Sequence, residues 1–378
     1  MSAILATSSL MAQKVNKNEL RQLQAFLNQP AKEAASNAQA LKVTNLSDPS
    51  SWEGVKVENG RVVEIDWKNK KLAGNLDLSN FSNLRKVDVS KNELTGLLIN
   101  NDVDLQYVNA GRNKISQFDL VNCPSLQDLR IYRNRLTSLE VGGVPMLMRL
   151  NISSNAIAEL NVGGLQNLQY LNCMSNRMEE LSLTGCVNLK TVYAGYNELS
   201  DIVLSELLKL QTLNLDNNRI QKLYLQDLPS LFTLMCSDNN MTELAIKNCT
   251  NVNDIDASYN NLNTFGVENC PNLAFVDLAW NNLTYLNLSN QTMLQRLNLA
   301  NNQLMSVVVT FDPNLIYLNV SGNYNLTSVD TTGDDNLQML RGQWDDFDNP
   351  APMAPVPPAP LPGPAPDMEM DSSVEPIN

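Results

Sequence analysis

Asparagine recurs along this chain at a fixed interval. It stands at Asn92, Asn113, Asn134, Asn155, Asn176, Asn197, Asn218, Asn239, Asn260, Asn281, Asn302 and Asn323, each 21 residues after the last. A period of this length marks a solenoid, in which each repeat is one coil stacked on its neighbours. Around each asparagine runs the frame Leu-x-x-Leu-x-Leu-x-x-Asn-x-Leu, as in Leu126, Leu129, Ile131, Asn134, Leu136 and again in Leu210, Leu213, Leu215, Asn218, Ile220. The x-Leu-x-Leu-x stretch alternates as a half-buried strand does, every second side chain facing inward. The asparagine side chain both donates and accepts, so it can satisfy backbone groups that a buried turn would orphan. Stacked coil on coil, these asparagines are expected to form a ladder and to belong to the scaffold.

This frame is identified as that of the leucine-rich repeat family, and it runs over roughly residues 62–344. The resemblance implies a right-handed superhelical solenoid, β-rich, with a parallel sheet on its concave face. The second half of each repeat echoes the first: Leu136, Leu139, Val141; Ile157, Leu160, Val162; Leu283, Leu286, Leu288. Half-repeats of 10 and 11 residues leave little room for helix, which takes roughly 10–12 residues of its own. A second line of short strands or extended segments is therefore expected opposite the first sheet. This resembles the 21-residue bacterial form of the repeat, internalin-like in general architecture and found in secreted and surface proteins. At ~4.8 Å per strand, about thirteen coils make a rod of roughly 60 Å.

Composition removes whole function classes. The net charge is −13, which speaks against nucleic acid, whose binding rests on neutralising phosphates with Lys and Arg. There is no histidine, so the commonest general base and the usual zinc ligand are missing. The cysteines follow the repeat: Cys123, Cys186, Cys249 and Cys270 share one position, where other coils place Val144, Leu165, Leu207 or Leu228. Cys173 and Cys236 stand where others have Leu215 or Ile131. They read as small buried hydrophobes. Cys249 and Cys270, one coil apart, are the pair whose spacing leaves a disulfide open.

The flanks differ from the array. Residues 1–13 are small and apolar, with an Ala12–Gln13 junction suited to cleavage, and read as the end of a secretory signal whose start is expected upstream. Residues 14–61 read as a helical cap over the first coil. A helix is expected over 18–28 with Asn18 as its cap, Leu20, Leu23 and Leu27 on one face and Pro30 beyond its end. A second short helix is expected over 34–41. Trp52-Glu53-Gly54-Val55 followed by Gly60-Arg61-Val62 is similar to the W-x-G-V … G-R-V cap of extracellular leucine-rich repeat proteins, without the cysteine pair of plant-type caps. The array fills 62–348, its register slipping to 22 near Leu326, and Trp344 with Asp345-Asp346-Phe347-Asp348 marks its expected end. Residues 349–378, with nine prolines between Pro350 and Pro366 and then acidic residues, read as an extended, disordered tail, either a stiff spacer or a ligand for a proline-binding domain. No apolar run is long enough for a membrane-spanning helix.

Because the frame residues are buried, ligand contacts are expected at the x positions near the concave strand. One of these columns, from Asp88 through Asn109, Asn151 and Asn214 to Asn319, is a polar stripe. Two groups rise above it. Lys91, Arg112, Arg130, Arg133 and Arg149 make a basic patch near the start. Asp254, Asp256, Tyr259, Phe275, Asp277 and Trp280 combine carboxylates with aromatics on two adjacent coils, with Tyr193 and Tyr196 as a smaller pair between the groups. Aromatics supply contact area and carboxylates fix orientation. Neighbouring Asp256 and Asp277 have the spacing of a retaining glycosidase pair, but on an open curve that does not exclude water. No calcium loop of the Asp-x-Asp-x-Asp-Gly kind occurs. The expectation is a non-enzymatic scaffold, without metal or cofactor, that binds a protein at the cell surface, outside the cell or in the periplasm. Carbohydrate binding through Tyr259, Phe275 and Trp280, or a plain spacer role, are the alternatives.

Overall fold

The computed structural model describes residues 15–342. The proposed signal, the Trp344 and Asp345–Asp348 boundary and the proline-rich tail lie outside the described residues. Two helices, α1 (Lys17–Leu27) and α2 (Asn37–Ala40), lead into strands β1 (Val55–Glu58) and β2 (Arg61–Asp66). From there the chain winds into coils. Each coil gives one short strand to a 15-stranded front sheet that ends at Met339–Arg341. All its pairings are parallel except the first, where β1 folds back antiparallel on β2. The opposite wall is extended chain that pairs in short sheets, such as Lys222–Gln226, Glu243–Lys247 and Thr264–Glu268. That is the second line of strands the repeated half-pattern predicts. The frame leucines fill the space between the walls, and Leu129, Leu150, Leu171, Leu213 and Leu234 are wholly buried.

The ladder asparagines hold the coils together with a repeated set of bonds. In the middle of the array Asn239 Oδ1 accepts from Ile220 N at 3.0 Å in the preceding coil. Its Nδ2 donates to Leu215 O at 2.9 Å in the preceding coil and to Cys236 O and Ser237 O in its own. Asn260 and Asn281 repeat the pattern. One amide thus links two coils and clasps its own turn. Each ladder asparagine in this stretch is over nine-tenths buried, so none of the bonded groups has water as a substitute.

The N-terminal cap is part helix and part strand. The helix is capped by Asn16, whose side chain accepts from Asn18 N and Glu19 N, not by Asn18. The earlier asparagine wins because it alone has non-helical backbone ahead of the first turn, whereas Asn18 already lies in the helix. The expected second helix over 34–41 shrinks to the single turn Asn37–Ala40, capped by Ser36. Helix α1 covers the end of the core, where Phe26 stacks on Trp67 with ring centroids 5.8 Å apart. Trp52 is buried in the cap and donates to Asn45 O. Two side-chain amides also close the open edge of the strand β3 (Ala73–Asp77) as a neighbouring strand would. Gln29 accepts from Asn75 N and donates to Asn75 O, while Asn37 accepts from Ala73 N and donates to Ala73 O. An edge so occupied cannot template another chain. Gly74 between them has φ +89°, and a Cβ there would lie 1.9 Å from Gln29 Oε1.

All six cysteines are free and buried. Burial pushes the Cys123 and Cys249 thiols up to about 11 and Cys173 up to about 12, far from the reactive thiolate range. Asp102 and Asp312 occupy the same corner position as Cys123 and Cys249 in other coils. Asp102 accepts from Phe81 N at 2.7 Å and Asp312 from Gln291 N at 2.5 Å. Burial nonetheless raises both carboxyls to about 7.

Two outcomes follow for stability. Asn239→Ala leaves the Ile220 N–H unpaired in the core, while Leu215 O, Cys236 O and Ser237 O each lose one bond and keep another, and it is expected to lower unfolding free energy by about 2–3 kcal/mol in urea denaturation. Buried carboxyls with raised folded pKa values favour the folded state most when protonated. Their contribution is full below about pH 4, the unfolded value, and is lost as pH rises to about 7 for Asp102 and Asp312. The urea midpoint is therefore expected to be higher at about pH 5 than at about pH 8. The ion-paired glutamates with lowered values, such as Glu58 and Glu93, oppose this only at still lower pH.

Candidate functional site

Each coil turns sharply twice, and the two corners make the same demand on the backbone. At the front corner the residue just before each ladder asparagine has positive φ, from Lys91 at 57° and Arg112 at 59° to Trp280 at 57° and Asn301 at 56°. Its own N–H donates to a carbonyl in the next coil, as in Tyr196 N to Asp216 O at 2.8 Å and Trp280 N to Ala300 O at 2.8 Å. The asparagine that follows clasps the carbonyls two and three residues before itself. The corner residue is thereby locked in the left-handed region. At the back corner Asn80, Asn101, Asn122, Asp227, Asn248, Asn269 and Asn290 stand at the same φ.

Asn, Asp and Gly tolerate that conformation; for other residues it costs about 1–2 kcal/mol. The back corner is filled accordingly, with Glu206 and Phe311 as the exceptions. Its side chains even bond to each other from coil to coil, Asn122 to Asn101 and Asn269 to Asn248. The front corner differs. Along it run Lys91, Arg112, Arg133, Ser154, Ser175, Tyr196, Asn217, Asp238, Tyr259, Trp280, Asn301 and Gly322. Six of these twelve are bulky or long side chains held in an unfavourable backbone state. Tyr196, Tyr259 and Trp280 are each more than half exposed, at 54%, 53% and 52%, so burial does not explain them.

This column unites members of the expected basic patch, of the expected carboxylate–aromatic patch and of the Tyr193–Tyr196 pair. Tyr196, Tyr259, Trp280, Arg112 and Arg133 lie on the corner beyond the strand, not on the strand itself. Tyr259 and Trp280, one coil apart, stack with centroids 5.7 Å apart and planes 9° from parallel. Each ring spends one face on the other. Asp238 is exposed one coil before Tyr259.

The remaining candidates sit on the front strands and are engaged locally. Asp128 receives two bonds from the Arg130 guanidinium, at 3.0 and 2.7 Å, and lies 3.8 Å from Arg149. Arg130 also lies 5.3 Å over the Tyr107 ring and Arg149 4.4 Å over Tyr170. Tyr170 meets Tyr193 edge to face at 5.9 Å. These two arginines thus belong to a cation–aromatic chain across neighbouring coils. Asp256 Oδ1 accepts from Ser258 N and Oγ, and Asp277 accepts from Ala279 N and Asn298 Nδ2. Asn109, Asn151, Asn172, Asn214 and Asn319 likewise accept from the N–H two residues on. The polar stripe is therefore a run of turn-closing side chains. Burial raises the Asp254 and Asp277 carboxyls, and Asp256 between them adds to it. Phe275 is about one-third exposed beside them. Among the described residues no group of three Asp, Glu or Cys side chains is placed to hold a metal.

Sequence reasoning missed the corner column as a unit, together with Asp238, Asp128, Tyr107 and Tyr170. Its signal was available: aligning the residue before every ladder asparagine exposes a column of bulky side chains at a turn position.

Comparison with known proteins bears on the fold. The family described as Leucine Rich Repeat matches residues 209–232. No curated protein matches. Among solved structures, the functional domain of InlJ from Listeria monocytogenes, described as including a cysteine ladder, is 23% identical with a TM-score of 0.57. The match covers 75% of this chain and 60% of that one. This chain thus spans about three-fifths of that neighbour. YopM from Yersinia pestis, described as a leucine-rich effector protein, is 22% identical with a TM-score of 0.54, over 69% of this chain and 78% of that one. An internalin, InlF, also from Listeria monocytogenes, is 15% identical with a TM-score of 0.52, over 85% and 99%. With its in-register 21-residue frame, its solenoid of parallel strands and these likenesses, the chain has the leucine-rich repeat fold and is similar to the internalins in architecture.

Proposed function

We propose that this scaffold is a non-enzymatic binding protein that presents its front corner to a protein partner outside the cell or at its surface. The carrying observation is the asymmetry between the two corners. Both impose positive φ, yet only the front corner holds Lys, Arg, Tyr and Trp, at half of its positions. Six such residues at about 1 kcal/mol each amount to a substantial fraction of a typical folding free energy. Strain of this kind concentrates where side chains meet a ligand.

The chemistry of the column favours a protein. Trp, Tyr and Arg are the residues that dominate binding energy at protein interfaces. A sugar ring packs on an open aromatic face, whereas Tyr259 and Trp280 each have one face against the other. A carboxylate-driven hydrolysis finds no support: Asp256 and Asp277 are tied to turn N–H groups, and the chain lacks histidine. The extracellular setting is supported by the W-x-G-V cap, with Trp52 and Val62 buried in it. No helix among the described residues is long and apolar enough to cross a membrane.

The test is affinity capture from extracellular fractions with wild type and a Tyr259→Asn/Trp280→Asn variant. Asparagine already occupies this corner at Asn217 and Asn301, so the variant keeps the fold. A captured partner is expected to bind the variant at least about tenfold more weakly, as for loss of an interface hot spot. Undiminished capture would remove the corner from the binding surface.

A further inference from the structure

The front corner has an internal symmetry of chemistry. Its N-terminal end reads Lys91, Arg112, Arg133 on three successive coils, and its C-terminal end reads Asp238, Tyr259, Trp280 on three successive coils. Between them lie two serines, Tyr196 and an asparagine. Consecutive members are one coil apart throughout, because each strand pairs with the next at a constant 21-residue offset over this stretch. The column is therefore a linear scale, roughly 43 Å from Lys91 to Trp280 at ~4.8 Å per coil.

We propose that two copies of this chain associate antiparallel along this corner, about a two-fold axis between Ser175 and Tyr196. The axis sets Lys91 of one copy against Trp280 of the other, Arg112 against Tyr259 and Arg133 against Asp238. Each match occurs twice, as an isologous contact requires. Two are cation–aromatic pairs and the third is an ion pair. No other register about a two-fold axis aligns both triads in full, since a shift by one coil leaves one residue of each triad without its counterpart. At the axis Ser175 of each copy faces the exposed Tyr196 ring of the other, and Ser154 faces Asn217, so a small side chain leaves room for the large one. A contact of this length and one or two side chains in width falls near the lower limit for specific interfaces, about 1,200 Å² in total, so the dimer is a weak one, on the order of micromolar.

This proposal rests on the reading of the front corner as the contact surface, and it names the partner as a second copy. Sedimentation velocity on the full chain, over roughly 1–100 μM, tests it. Wild type is expected to show a concentration-dependent monomer–dimer equilibrium. Arg133→Asp and Asp238→Arg each place like charges across the axis twice, and each alone is expected to be monomeric over the same range. Mixed in equal amounts they restore both ion pairs and are expected to form a heterodimer, and the double variant in one chain is expected to dimerise again. Both sites are exposed and already host these residue types at positive φ elsewhere in the column, so the fold is kept, which circular dichroism checks. A monomeric wild type, or a mixture that stays monomeric, overturns the proposal. If wild type is monomeric while Tyr259→Asn/Trp280→Asn still loses a captured protein, self-association falls and the contact-surface reading stands.

Discussion

The structure depends on the side-chain amide of the ladder asparagine. Its oxygen accepts from the coil before, and its nitrogen donates both to that coil and to its own turn. Two coils and one corner are fixed by a single residue whose groups are shut off from water. No other side chain of this size donates and accepts with the same reach, which is why the position does not vary over twelve coils. The leucines supply the driving force for stacking, but leucines alone would allow coils to slide. The amide sets the interval.

That clasp has a consequence at the residue beside it. To let the asparagine reach back two and three residues, the chain turns through a left-handed residue at every coil. Apart from Glu206 and Phe311, the back corner meets the same geometry with Asn, Asp and Gly, and its side chains knit into a small ladder of their own. The front corner meets it with lysine, arginine, tyrosine and tryptophan, among a few residues that suit it. The scaffold thus carries two versions of one turn, one relaxed and one strained, and the strained version carries the chemically richest side chains.

Much of the fold was legible because repetition makes the sequence its own alignment. The 21-residue interval gave the coils, the alternation gave the front strands, and the echo in Lys222–Gln226 and its like gave the back wall. The cysteines were legible for the same reason, sharing their columns with leucine and valine. The site was harder. Asp256, Asp277, Arg130 and Arg149 looked available because composition does not show that a carboxylate faces the N–H two residues on, or that an arginine lies on the tyrosine of an adjacent coil. Backbone handedness is also silent in composition, so Tyr196, Tyr259 and Trp280 were noticed as aromatics without the strain that sets them apart. The cap was half legible: Asn16 and Asn18 are chemically alike, and only the backbone shows that the earlier one caps the helix.

The central claim is that the front-corner side chains are held against their own conformational preference and so serve contact, not folding. Urea denaturation of Tyr196→Gly beside Asn248→Tyr measures it most directly, because both change the same kind of turn residue at opposite corners. Relief of left-handed strain, less the entropy of glycine, predicts that Tyr196→Gly stabilises by about 0.5–1 kcal/mol. Asn248→Tyr is predicted to destabilise by about 1 kcal/mol or more, through the strain it introduces and the side-chain bonds it breaks. A Tyr196→Gly variant clearly less stable than wild type would contradict the account, since it would make the front-corner side chains part of what holds the coils together.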